Sequence, residues 1–417
     1  MKVNYKSLEI VFKYFPALHG YALKTIKFGK KALYFMRFLP GSSDLFGPPR
    51  GIYKDIESIP PPKLRMKEVK LRDGFFMNRV LPNTNSDLVK AAFADILKVE
   101  SIEKKATIIQ GGKYTLNKKP TVITHDDKIY LPCSPLKNEW NYKLHQSLYR
   151  LKIPKYKCLD KVILIHTPVA DENYYHWIND HLPRFYWLKK LNIDLEEYIL
   201  VSYTSNLPFQ KFSDQKLIKH GFKFKEHLSA KDIKSFKANE LIVPPSVGFS
   251  TIATHSTISL EESNSLKELF MDDEELPVYE KIVLSRKNSL RTSKDELALI
   301  AELKKIGFKE ILLENYTVSQ QAKFFANANF IIGLHGAGFA NLHFCKPKTT
   351  VIEIFGADFI IPDFWNLANL LGLDYYAYCN DEFKIGLRHY NSRRKQKVRI
   401  KVDDFLTFYN NIANKSI

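Results

Sequence analysis

Three short stretches of this 417-residue chain carry side chains at spacings that suit chemistry. The first is NYYHWINDHLPR (173–184), which sets His176, Asp180 and Arg184 one helical turn apart in succession. A histidine and an aspartate at that spacing suit general-base work, one deprotonating a hydroxyl while the other orients it. Trp177 stands beside them as an apolar wall for an acceptor. No third ligand follows at a known spacing, so the pair does not read as a zinc site and no metal is expected. Pro183 lacks an amide hydrogen and predicts a kink or a fresh helix start, which leaves the direction of Arg184 open. A His–Asp pair that only fixes packing is the competing reading. Asp171, Glu172 and His166 are the next candidates for a base.

The second stretch, LSRKNSLRTS (284–293), joins a strand end to a helix start and carries Ser285, Arg286 and Arg291. Guanidinium forks grip phosphate oxygens in pairs. A solvated basic loop is the alternative. The third stretch, FIIGLHGAGFAN (330–341), ends an apolar strand in His335-Gly336-Ala337-Gly338 and opens a helix at once. Glycines there let the backbone approach a ligand, and a helix N-terminus offers amide hydrogens and a positive dipole to phosphate. Glu353, at the end of the next strand, is placed to accept hydrogen bonds from a ribose diol. A dinucleotide fingerprint needs a third glycine or alanine where Asn341 stands. A lipase-type oxyanion loop needs a G-x-S-x-G nucleophile, and the chain has none. A Walker A motif is absent as well. A tight turn that only packs helix on strand remains the plain alternative.

The elements that would hold these stretches follow one rhythm. Apolar strands alternate with amphipathic helices over about 158–250 and again over 280–380, which predicts parallel, doubly wound sheets. Ser293-x-x-Glu296 and Thr317-x-x-Gln320 read as capping boxes. Residues 63–155 are mostly short strands between turn residues, and residues 41–62 are a Gly- and Pro-rich linker. The expected organisation is a basic helical segment and linker (1–62), a small β-rich subdomain (63–155), two Rossmann-like domains (156–275 and 276–390), and a basic segment with a terminal helix (391–417).

Composition narrows the function. Apolar residues make up 45% and aromatics 13% of the chain, enough for large cores and too much for wholesale disorder. The net charge of +18 points to an anionic partner. Most of it lies in two segments, residues 1–40 at +7 and 384–401 at +8. The first reads either as a basic amphipathic helix on an anionic membrane surface or as a helix docked on its own protein. Neither segment carries a nucleic-acid-binding signature, so no nucleic acid is expected. The four cysteines are scattered, with no C-x-x-C, which fits a reducing compartment. No apolar run is long enough to span a bilayer, and the N-terminus lacks the apolar core of a signal peptide, so a cytoplasmic location is expected, including the inner face of a membrane.

Taken together, NYYHWINDHLPRFYWL (173–188), LSRKNSLRTSKDE (284–296), the run from Val318 to Pro347 and TTVIEIF (349–355) resemble glycosyltransferase family 61. The resemblance covers roughly 160–380. It implies a GT-B fold, two Rossmann-like domains with a cleft between them, the donor on the C-terminal one and the acceptor on the N-terminal one, and metal-independent, inverting transfer from a nucleotide sugar to a glycan hydroxyl; a UDP-linked donor is expected. It puts Ser285, Arg286, Arg291, His335, Gly336, Ala337, Gly338 and Glu353 on the donor side, with His176, Asp180 and Arg184 on the acceptor side. No cofactor beyond the donor is implied. Eukaryotic members usually carry a membrane anchor; a chain without one resembles bacterial members that build capsule or other surface polysaccharide. Two rival readings are a dinucleotide-dependent oxidoreductase using the same glycine loop and a non-catalytic protein that binds polysaccharide or a membrane surface.

Overall fold

The computed structural model describes residues 49–94, 96–101, 103–117, 119–134, 155–167, 170–245, 258–271, 275–288, 293–386 and 397–414. Arg291 and both strongly basic stretches, apart from the ends of the second, lie outside the described residues. The architecture is mixed α/β with parallel sheet. The chain divides into two compact units: residues 1–68, 107–162 and 230–242 form one, and residues 69–106, 163–229 and 243–417 form the other. Residues 163–229 fall in one unit with residues 276–390, and residues 63–155 are shared between both.

In the first unit, strands Lys113–Asn117, Lys119–Ile123 and Ile129–Tyr130 pair antiparallel in succession, as their short lengths and intervening turns predict. Strand Ser235–Val243 joins them antiparallel to Lys113–Asn117, with Tyr114 stacked on Phe236 at 5.4 Å. That long-range pairing sets a strand expected in a Rossmann-like domain against an antiparallel neighbour in a mixed sheet.

The second unit carries every candidate site residue. Strands Lys281–Leu284, Lys309–Ile311, Phe330–Leu334, Thr350–Phe355 and Asp374–Cys379 form a parallel sheet. The second of these lies outside the first, while the third, fourth and fifth follow on the first strand's other side. The sequence order therefore reverses between Lys281–Leu284 and Phe330–Leu334, and the crevice at the carboxyl ends of those two strands is where open sheets of this kind bind ligands. Asn83–Thr84 adds one more parallel strand beyond Asp374–Cys379. Helix Asp87–Ala94 follows it, and Phe93 stacks on Trp365 at 4.9 Å. Ile199–Ser202 and Glu226–Ser229 pair in parallel elsewhere in this unit.

Alternation along the strands decides what faces the site. Ile332, Leu334, Ile352, Ile354 and Tyr378 pack with Leu299, Ile300 and Leu303 of helix Lys294–Lys305 and with Phe405, Tyr409 and Ile412 of helix Val402–Ala413. Because successive strand residues point to opposite faces, His335, Glu353, Phe355 and Tyr375 share the other face. Helix Val318–Asn327, the turn of 3-10 helix Ala337–Phe344 and helix Asp363–Leu371 pack together there. The expected helix after the glycine loop is thus a tighter 3-10 helix.

Candidate functional site

The His176 segment continues through Pro183, by an unusual route. Tyr174–His176 is α-helical, Trp177–His181 forms a π-turn in which Leu182 N–H bonds to the carbonyl of Trp177, and Pro183–Lys190 is α-helical again. A proline in an α-helix would lose its amide bond and crowd the carbonyl four residues back; the wider turn relieves that conflict, and such turns are frequent at functional sites. His176 and Asp180 meet as the spacing predicts, Nδ1 to Oδ2 at 2.6 Å. Asn179 donates to the carbonyl of Tyr175 at 3.0 Å and holds the preceding turn.

Arg184 and Trp177 are both buried. Arg184 is 2% exposed, and its Nε donates to the carbonyl of Asp180 at 3.2 Å, so it braces the pair from beneath. Trp177 is fully buried: its indole stacks on His181 at 4.1 Å and donates to Ser213 at 3.1 Å. Both belong to the core because the π-turn rotates them away from the surface that carries His176.

At the sheet edge, Ser285, Arg286, Gly336, Ala337 and Gly338 line one cavity of about 810 Å³. That volume is in the range of ligand-binding clefts. Tyr174, Phe209, Phe212, Leu313 and Tyr316 supply apolar walls. Arg286 is held in place from two sides. Its amide donates to Glu296 at 3.0 Å, and Nη1 donates to the carbonyl of His335 at 3.1 Å. Ser293 caps the next helix by accepting from the amide of Glu296 at 3.1 Å, so the cap residues also fix the arginine loop. At Gly338 an added Cβ would come within 2.5 Å of Leu313 Cδ1, a cavity-wall atom.

His335 and Glu353 do not line this cavity. Glu353 is fully buried, with one oxygen 2.5 Å from His335 Nδ1 and the other accepting from the Tyr375 hydroxyl. Both oxygens thus have protein partners, and strand alternation turns the side chain under His335. The His335 ring stacks on Phe355 at 5.3 Å and meets Phe359 and Phe364.

Sequence reasoning missed the residues that tie the stretches together. The Tyr174 hydroxyl donates to Asn341 Oδ1 at 2.7 Å, and Asn341 Nδ2 donates to Gln321 at 2.9 Å and to the carbonyl of Gly338 at 3.1 Å. The residue that breaks the dinucleotide fingerprint is thus a fully buried clamp. His343 Nε2 lies 2.9 Å from Asn179 Oδ1, and its Nδ1 lies 2.9 Å from the Ser263 hydroxyl. Burial pushes the His343 imidazole down to about 3. Among the described residues no trio of His, Cys, Asp or Glu side chains is grouped to hold a metal ion, and no helix is long and apolar enough to cross a membrane.

The fold is thus an open parallel sheet whose strand order reverses beside a cavity lined by Arg286 and the glycine turn. The sequence family follows from comparison: residues 174–352 match the family model Glycosyltransferase 61, so the resemblance read from the sequence is shown over that segment. A 66-residue stretch is 36% identical to a beta-1,2-xylosyltransferase of Arabidopsis thaliana, covering 16% of this chain and 12% of that protein. The E. coli heptosyltransferase WaaC with ADP aligns over 57% of this chain and 98% of its own at 7% identity, with a TM-score of 0.28, too low to assign a shared fold.

Proposed function

We propose that this chain is an inverting glycosyltransferase of GT-B type that moves a sugar from a nucleoside-diphosphate donor to a glycan hydroxyl. The observation that carries the reading is the cavity of about 810 Å³ at the sheet's order reversal, where Arg286, Ser285 and the Gly336–Gly338 turn converge. The family match over residues 174–352 supports the reaction class. Arg286, with Arg291 from the same loop, binds the diphosphate, and the amide hydrogens opening the Ala337 helix take the remaining oxygens. The apolar wall of Tyr174, Phe209 and Tyr316 suits the base and ribose of a donor such as a UDP-sugar.

The 2.6 Å contact to Asp180 orients His176 through Nδ1 and leaves Nε2 to take the acceptor hydroxyl's proton. The alkoxide oxygen then bonds to the anomeric carbon as the bond to the diphosphate breaks on the opposite face. Arg286 and the helix start stabilise the charge that develops on the leaving group, with no metal required. We further assign the acceptor to surface or capsular polysaccharide and the site of action to the cytoplasm, with the basic stretches 1–40 and 384–401 drawing the protein to an anionic membrane face. A donor screen tests the reading: nucleoside diphosphate released from a panel of nucleotide sugars, with and without EDTA. Release from one donor, unaffected by EDTA, is expected. Release from none would overturn it.

A further inference from the structure

The cavity at the order reversal has one carboxylate in its wall, that of Glu314. Glu314 stands just past the carboxyl end of strand Lys309–Ile311, which lies on the far side of Lys281–Leu284 from the glycine turn. The arginine loop therefore runs between the two. A Cβ at Gly336 would lie 3.9 Å from Arg286 Nη1, so the turn and the guanidinium are neighbours. Leu313, beside Glu314, packs on Gly338. Two strand spacings separate the turn from the Glu314 loop, on the order of 10 Å. A nucleoside diphosphate bridges such a gap when its phosphates sit at the turn. Asn288, from the arginine loop, also lines the cavity and donates through Nδ2 to Glu314 Oε1 at 3.0 Å.

A carboxylate repels phosphate, so Glu314 has no place in the diphosphate grip; what it can take is a hydrogen-bond donor. Among the described residues Asn288 is the one side chain that donates to it, and Oε2 accepts from none. The amide thus steadies one oxygen and leaves the other open to a ligand. Glu353 cannot fill this role, because both its oxygens have protein partners. The hydroxyl donors nearest a nucleotide's phosphates are those of its ribose, and an acidic side chain at a strand end is a usual partner for them. Guanine offers donors too, but a base has aromatic walls of its own in Tyr174, Phe209 and Phe212. We propose that Glu314, held by Asn288, binds the ribose of the donor nucleotide, accepting from its 2′- or 3′-hydroxyl, and so selects ribonucleotides over deoxyribonucleotides. This rests on the glycosyltransferase reading.

Calorimetry compares UDP with its 2′-deoxy and 3′-deoxy counterparts in wild type, Glu314→Ala and Asn288→Ala; ADP, GDP or CDP replaces UDP if UDP does not bind. Glu314 and Asn288 are both exposed, so their removal costs the fold little. Wild type should bind at least one deoxy form more weakly, on the order of 10–100-fold. Glu314→Ala should weaken the ribonucleotide by a similar factor and leave that deoxy form within about threefold of its wild-type affinity. Asn288→Ala should show a smaller loss, again confined to the ribonucleotide, because the carboxylate remains but is no longer held. Wild-type affinity for the ribonucleotide in Glu314→Ala would overturn the inference while leaving the donor reading in place. An equal loss for the ribo and deoxy forms would overturn it as well, and with GDP would put the carboxylate on the guanine edge. Binding of no nucleoside diphosphate to wild type removes the donor reading, and the inference with it.

Discussion

Nδ1 of His335 lies 2.5 Å from Oε1 of Glu353, and the other oxygen of that carboxylate takes the Tyr375 hydroxyl. His176 repeats the device, its Nδ1 against Asp180 at 2.6 Å. In each pair the carboxylate holds the ring through Nδ1, so Nε2 is the ring nitrogen the pairing does not use. The consequence for Glu353 can be measured. Glu353→Gln should leave UDP affinity within about threefold, as for an indirect effect, while transfer falls. A loss of affinity for UDP, with 2′-deoxy-UDP binding unchanged, would restore Glu353 to the ribose.

Arg286 is half of the proposed diphosphate grip. Arg286→Ala should weaken UDP binding by about 1.5–3 kcal/mol, the range of a hydrogen bond to a charged group. Arg286→Lys should recover only part of it, because a point charge replaces a fork. Calorimetry with UDP, and with other nucleoside diphosphates if UDP does not bind, reads both. Wild-type affinity in the alanine variant would remove this loop from the cradle.

The glycine turn offers a steric test. Gly338→Ala brings a Cβ within 2.5 Å of Leu313 Cδ1, so the wall of the cavity must shift. Nucleotide affinity should drop in Gly338→Ala, vanish in Gly338→Val, and return partly in Gly338→Ala/Leu313→Ala, where the obstructing atom is gone. Titration with UDP and a thermal melt separate blockage from unfolding. If the double variant stays as weak as the single one, the turn acts by some means other than this contact.

The base should matter to turnover and not to the donor. His176→Ala is expected to lower transfer by roughly 10²–10⁴-fold with UDP affinity nearly unchanged. Asp180→Asn should lower it less, since an amide still holds the ring but stabilises the imidazolium poorly. Near-wild-type turnover in both would make this face structural.

Much of the local structure was legible in the sequence. The strands of the parallel sheet, the capped helices and the His176–Asp180 contact all follow from spacing, because 3.6- and 2-residue periods leave marks in a single chain. What could not be read were the partnerships between distant segments. Nothing near Asn341 announces Tyr174, and nothing near Ser235 announces Thr115, its partner across the antiparallel pair. The burial of Trp177 and Arg184 could not be read either, because the π-turn changes which residues share a face, a shift that Pro183 signalled without fixing its direction.

Acid should test the buried clamp. His343 has its pKa lowered to about 3 by burial, so the unfolded chain takes up a proton below about 6.5 that the folded one refuses. The stability linked to this group is present above pH 6.5 and is lost as pH falls. Between pH 7 and pH 5 the loss should be about 2 kcal/mol. Urea unfolding at the two pH values, in wild type and His343→Gln, should show a smaller acid loss in the variant. Equal losses would assign the acid sensitivity elsewhere.

The π-turn at Trp177–His181 also fixes how long this segment can be. A turn of that kind holds one residue more than an α-turn, so the extra residue is already taken up there, and one more would have no wider turn to absorb it and would swing everything upstream by roughly 100°. Tyr174 would then leave Asn341, and His176 would leave Asp180. Outright substitutions of the exposed lysines downstream, Lys189 and Lys190, would disturb neither contact. This stretch should therefore accept changes of letter far more readily than added length, and a one-residue insertion there is the alteration it can least absorb.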